Sequence, residues 1–70
     1  MNLYYIKIED TDLYVNYVLV NCGPDLSFTP NFDLGKENAA VYEEDKAEFY
    51  VRELNKISDV RFVLEKAIEY

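Results

Sequence analysis

A chain with one cysteine and no histidine has neither a disulfide nor a zinc-type ligand set to staple it, so its 70 residues must fold on apolar packing. A domain of that length buries roughly 60% of the surface its unfolded chain exposes. Its core supplies only about 3–5 kcal/mol of net stability, to which dimerisation would add. Half the residues are apolar, and seven tyrosines and four phenylalanines place the chain outside the disordered class. The expectation is one domain spanning 1–70.

The longest uncharged stretch, Leu13 to Pro24, is too short to span a bilayer and is interrupted by Asn16 and Asn21. The opening Met1-Asn2-Leu3-Tyr4-Tyr5 lacks the basic region and small-residue cleavage site of a signal peptide. An unpaired thiol suits a reducing compartment, so a cytoplasmic location is expected.

Alternation places Tyr4, Ile6 and Ile8 on one face of a first strand, and Leu13 to Val20 reads as a second. The polar interruption Glu9-Asp10-Thr11-Asp12 has the length of a hairpin loop, so the two strands should pair antiparallel. From Asn21 to Lys36 the pattern dissolves among Gly23-Pro24, Pro30 and Gly35. This segment is expected to be a loop pinned by Phe28 and Phe32, or to hold a short edge strand near Ser27–Thr29. Ala39 to Tyr42 is a brief strand or the lead-in to a helix.

The helix itself is predicted from about Glu44 to Ile57, because Ala47, Tyr50, Val51, Leu54 and Ile57 repeat at the 3-4 spacing of one buried face. Its acids lie early and its bases late, as the helix dipole favours, and Glu48 to Arg52 has i,i+4 spacing. Ser58-Asp59 ends it. Val60 to Tyr70 reads as a closing strand, with Val60, Phe62, Leu64 and Ile68 on one face and Arg61, Glu65 and Glu69 on the other. The fold class is therefore α+β: a small antiparallel β-sheet with one helix packed on one face, in the order β-β-(β)-α-β. The opposite face would carry Tyr5, Tyr14 or Tyr17 with charged partners, a candidate contact surface.

Fourteen carboxylates against seven cations leave a net charge of -7, which repels phosphate backbones and attracts basic surfaces. Residues 1–35 hold five acids and one base, and residues 36–70 hold nine acids and six bases. Without histidine, nucleophilic catalysis lacks its commonest base. Cys22, before Gly23-Pro24 in an acidic stretch, reads as an inert, semi-buried turn cysteine. Asp10-Thr11-Asp12 resembles the start of a calcium loop but lacks the glycine and the closing glutamate of that motif. The two glycines lie too far apart for a phosphate-binding loop. No catalytic residue, cofactor or metal is expected.

Glu43-Glu44-Asp45 is explained by the helix dipole alone; joined by Glu48 and Glu53 it would also imitate a row of phosphates, although Arg52 interrupts the stripe. Phe49 falls off the buried stripe, among charges, as either a flank contact or an aromatic anchor for a partner.

Tyr5-Ile6-Lys7-Ile8, Ala40-Val41-Tyr42-Glu43-Glu44, Ala47, Leu54 and Val60-Arg61-Phe62-Val63 together resemble small acidic accessory proteins of phages and prophages of low-GC bacteria. The segment Asn21–Lys36 is longer than the corresponding loop in that layout. The resemblance implies an early-expressed protein that binds and disables a host or defence factor, often one that handles nucleic acid. It carries no functional residue over.

The expected function is a non-enzymatic protein-binding module, an inhibitor that occupies a basic surface without contacting nucleic acid or membrane. The hairpin tip (Glu9, Asp10, Asp12) and the helix (Glu43, Glu44, Asp45, Glu48, Phe49, Glu53) would meet the partner. The alternative is a self-assembling homodimer built through an open strand edge or the aromatic sheet face, with Tyr14, Tyr17 and the terminal strand at its contact.

Overall fold

A computed structural model describes residues 2–24 and 26–69, without the side chains of Ile68 and Glu69. The chain folds as β1 (Asn2–Ile8), β2 (Leu13–Cys22), β3 (Leu26–Leu34), β4 (Tyr42–Glu43), α1 (Glu44–Ile57) and β5 (Phe62–Glu69). All strand pairs are antiparallel, and one helix packs on one face of the single sheet, so the fold is α+β.

β1 is the centre. β5 runs along one of its edges, from Ile8↔Phe62 to Asn2↔Glu69. The other edge is divided: β2 meets it at Lys7↔Tyr14, and β4 meets it at Leu3↔Glu43 and Tyr4↔Tyr42. Beyond Val15, β2 therefore leaves β1 and continues as a two-stranded ribbon with β3, paired from Leu13↔Leu34 to Cys22↔Leu26. A bulge at Asn16 starts this departure, since an extra residue bends a strand and tightens its twist. The segment before β4 fills the gap, with the Ala40 amide donating to the Val15 carbonyl at 3.2 Å.

Ile6, Ile8, Val15, Phe28, Leu54 and Phe62 form the buried core. The helix touches β1, β5, β4 and β3 but not β2, so the ribbon curls its outer strand toward the helix. Phe28 closes that contact edge-to-face on Phe49 and Tyr50, at 5.8 and 6.3 Å between ring centroids.

Four expectations are corrected. The segment expected to be a pinned loop, or to hold a short edge strand near Ser27–Thr29, is mostly β3, nine residues long; its outward Ser27, Thr29 and Asn31 face solvent, and Pro30 is tolerated because β3 is an edge strand. Ile57, assigned to the buried helix face, is 61% exposed because it ends the helix beyond the sheet. Val60 precedes β5 and is exposed rather than inside. Cys22 is an exposed residue at the end of β2. Asp25, the side chains of Ile68 and Glu69, and Tyr70 lie outside the described residues.

In the β1–β2 turn, Asp10 adopts φ 61°, the left-handed region that aspartate tolerates better than most residues. The Thr11 hydroxyl donates to the Ile8 carbonyl at 2.7 Å and accepts from the Leu13 amide at 3.1 Å. Asp10→Gly should therefore leave the urea midpoint unchanged or raised, whereas Asp10→Val should cost about 1–2 kcal/mol. Equal midpoints for the two variants would show the turn to be unconstrained.

Candidate functional site

Seven of the fourteen carboxylates fall into two groups at opposite ends of β1. One surrounds the helix start. Tyr42 pairs with Tyr4, so β4 delivers the chain to α1 at the N-terminal end of β1. Glu43 is the N-cap residue but makes no side-chain capping bond, and Glu44 and Asp45 occupy the first turn, where their charge complements the helix dipole. The Tyr4 hydroxyl donates a long 3.5 Å bond to Glu44 Oε2. Glu48 follows one turn later, and none of these four carboxylates forms an ion pair with a cation among the described residues that the geometry closes within 4 Å. Lys46, in their midst, lies over the Tyr42 and Tyr50 rings at 6.0 and 5.7 Å.

The second group is the hairpin tip. Arg61 Nε lies 3.1 Å from Glu9 Oε2, and the Glu9 amide donates to the Arg61 carbonyl at 2.8 Å, so Glu9 is tied to the residue that leads into β5. Asp10 and Asp12 are exposed; the Asp12 carbonyl accepts from the Gly35 amide at 2.7 Å. The length of β1 separates this tip from Glu43 by about 20 Å. Glu53 pairs with Lys56 at 2.9 Å, and Arg52 lies over the Phe49 ring at 6.0 Å rather than on Glu48. Phe49 is a flank contact of the helix with β3, still 39% exposed. Glu43, Glu44, Asp45 and Glu48 are brought together; Glu9, Asp10 and Asp12 form a separate tip.

The sheet face away from the helix holds a polar knot. Tyr5, Lys7 and Glu65 share that face, since Tyr5 and Glu65 are directly paired across β1 and β5. Glu65 accepts a hydrogen bond from the Tyr14 hydroxyl at 2.9 Å and forms ion pairs with Lys36 Nζ at 2.8 Å and Lys7 Nζ at 3.9 Å. Lys36 also lies over the Tyr5 and Tyr14 rings, which meet edge-to-face at 5.6 Å. The bond from Lys36 chiefly lowers the Glu65 pKa below the usual carboxylate range, and the bond to Glu65 raises that of Lys36. Burial, then the bond to Glu65, raises that of Tyr14. Tyr14 is only 4% exposed, beneath Lys7 and Lys36, which removes it from any exposed aromatic contact, whereas Tyr17 remains 53% exposed.

Sequence reasoning missed one further feature. The Asn55 side-chain amide donates to the Phe62 carbonyl at 3.1 Å and accepts from the Phe62 amide at 2.7 Å. One side chain thus satisfies both backbone groups of Phe62, as a neighbouring strand would. Asn55, Ser58, Asp59, Val60 and Arg61 line a shallow polar depression of about 430 Å³ beside it. The helix C-cap followed by a short return to β5 was visible in the sequence; the register that aims Asn55 at Phe62 was not.

Comparison with protein-family models, curated proteins and solved structures finds no match for this chain. Among the described residues no helix is long and apolar enough to cross a membrane, and no three acidic or thiol side chains converge closely enough to hold a metal ion. What the described surface offers is charge: the carboxylates at the helix start present acceptors to cationic side chains.

Proposed function

We propose that this protein is a non-enzymatic, acidic protein-binding module of the phage accessory type, which inhibits a nucleic-acid-handling host or defence protein by occupying its basic surface. The observation that carries this reading is the group of Glu43, Glu44, Asp45 and Glu48 within six residues at the helix start, exposed and, among the described residues, not neutralised by an ion pair. Such a surface steers a basic partner and disfavours nucleic acid. The hairpin tip, with Asp10 and Asp12, is a second and smaller anionic contact. The module acts in the cytoplasm of the host.

Affinity capture from host lysate, identified by mass spectrometry, tests this. The Glu44→Lys/Glu48→Lys variant should bind the captured partner at least about tenfold more weakly, a change of about 1.4 kcal/mol. The Asp10→Lys/Asp12→Lys variant should lose less. Capture that is unchanged by the helix variant overturns the electrostatic reading. A dimer that is insensitive to salt in sedimentation, with no partner captured, would favour the self-assembling alternative instead.

A further inference from the structure

We infer that this chain forms a transient homodimer by joining the free edge of β2 to the same edge of a second copy, antiparallel about a two-fold axis at Val20. The contact lies apart from the acidic residues at the helix start and leaves them free for a partner.

The departure of β2 from β1 creates the edge. β2 meets β1 at Lys7↔Tyr14, and the Ala40 amide covers the Val15 carbonyl just beyond. Past the bulge at Asn16, β2 pairs only with β3 among the described residues, and the helix does not touch it. Tyr17 and every residue from Leu19 to Pro24 are exposed. Pro30 fixes which backbone groups face outward. It has no amide to donate and pairs with Val18, so in this pair the backbone groups turn away from each other. Val18 therefore aims its amide and carbonyl at the open edge, as do Val20 and Cys22 at two-residue steps.

Charge selects the occupant. Charged residues are 30% of the chain, yet Leu13 to Phe32 holds only Asp25. Strand edges are commonly kept from self-pairing by lysine, proline or an inward charge, and Tyr17 to Gly23 contains none of these. A basic partner finds no counter-charge here, whereas a second copy meets an equally uncharged edge. Over the rest of their surface two copies at -7 repel each other. Pairing about Val20 sets the two Asp12 residues roughly 50 Å apart along the strands, far beyond the Debye length of about 8 Å. The helix reaches the ribbon through β3, where Phe49 meets Phe28, and not at this edge.

Centring on Val20 uses the whole open span from Tyr17 to Gly23 and stops short of the bulge. It sets Val18 opposite Cys22, Leu19 opposite Asn21, and Tyr17 opposite Gly23, where an aromatic ring covers bare backbone. The outer edge of β3 fits less well, because Pro30 breaks its row of donors. A contact this short belongs with interfaces below about 1,200 Å², which associate weakly. The dimer is therefore expected at high concentration and not as a permanent species.

Sedimentation of the full chain from about 10 µM to about 1 mM, a range matched to weak association, tests this together with amide hydrogen exchange by NMR. The parent should pass from monomer to dimer across that range, unweakened by salt, with exchange at Val18 and Val20 slowing as the dimer fills. Val20→Lys should raise the dissociation constant at least about tenfold. Leu26→Lys changes the net charge equally but lies on β3, and should dimerise as the parent does. The amide readout on the parent needs no variant, so it decides even if Val20→Lys fails to fold. A monomer throughout, a dimer indifferent to Val20→Lys, or slowed exchange at Phe28 and Phe32 instead, which marks the β3 edge, overturns the pairing. Protection of Val18 and Val20 only in complex with a captured partner also overturns it, because the edge then belongs to that partner. Capture that depends on Glu44 and Glu48 is read separately, so the acidic site and the dimer can each fail without the other.

Discussion

Phe62→Ala should leave most of the protein unfolded at room temperature. Phe62 is the largest of the fully buried side chains at 1% exposure, pairs across the sheet with Ile8, and belongs to the core cluster with Leu54. Truncating a buried phenylalanine costs about 3–5 kcal/mol in lost transfer energy and residual cavity, which equals the whole stability expected of a core this small, about 3–5 kcal/mol. Phe62→Leu keeps most of the volume and should cost less than about 1.5 kcal/mol. Ile57→Ala, at a position 61% exposed, should stay within about 0.5 kcal/mol of the parent. Near-ultraviolet circular dichroism and urea melts separate the three. A cooperative melt for Phe62→Ala at the parent midpoint would show that the core lies elsewhere.

Acid should weaken the fold through Glu65. Its carboxyl sits below its ordinary value near 4.5 because Lys36 and Tyr14 donate to the charged form. The unfolded chain therefore takes up that proton more readily than the folded one. The stabilisation is present above about 4.5 and is lost as pH falls through the lower folded value. Lys36 and Tyr14 are shifted upward, so their share is complete below pH 10 and is lost as pH rises through their raised values. The same knot thus weakens at both extremes. Other carboxylates complicate the raw curve, because protonating them relieves the repulsion of a chain at -7. The informative quantity is the difference between the parent and Glu65→Gln. Glutamine keeps an acceptor for Tyr14 but cannot titrate, so the variant should start with a lower urea midpoint near neutrality and lose less on acidification. Parallel curves for the two proteins from pH 6 to pH 2.5 would remove Glu65 from the account.

Much of the fold was legible because its periods are local. Ala47, Val51 and Leu54 mark one helix face without reference to anything else, and the charged pair Glu43-Glu44 made a start before Tyr42 unfavourable. Tyr4, Ile6 and Ile8 mark the inner face of β1 in the same way. β3 was read as a pinned loop or a short edge strand near Ser27–Thr29 because Pro30 interrupts it and Ser27, Thr29, Asn31 and Asp33 are polar. Leu26, Phe28, Phe32 and Leu34 alternate with them, but only Phe28 is buried, so little of this strand is held by the core and its pairing with β2 carries it. The candidate site was legible in composition and not in arrangement. The sequence shows two acidic runs; only the pairing of β1 with β4 places them at opposite ends of one strand. Lys36, from a loop, and Asn55, from the helix, act across gaps in sequence that local patterns do not encode.

The central strand finds its fullest partner in the segment that leaves the ribosome last of all the elements, since Asn2 to Ile8 pair with Phe62 to Glu69. A nascent chain lacking β5 has the ribbon and the helix but an open seam through its middle, and closing that seam requires a loop of more than fifty residues. Folding is accordingly governed by long-range closure, and until β5 pairs, β1 lacks its longest partner. The window before closure is when a chaperone, a protease or an early-arriving partner has its opportunity.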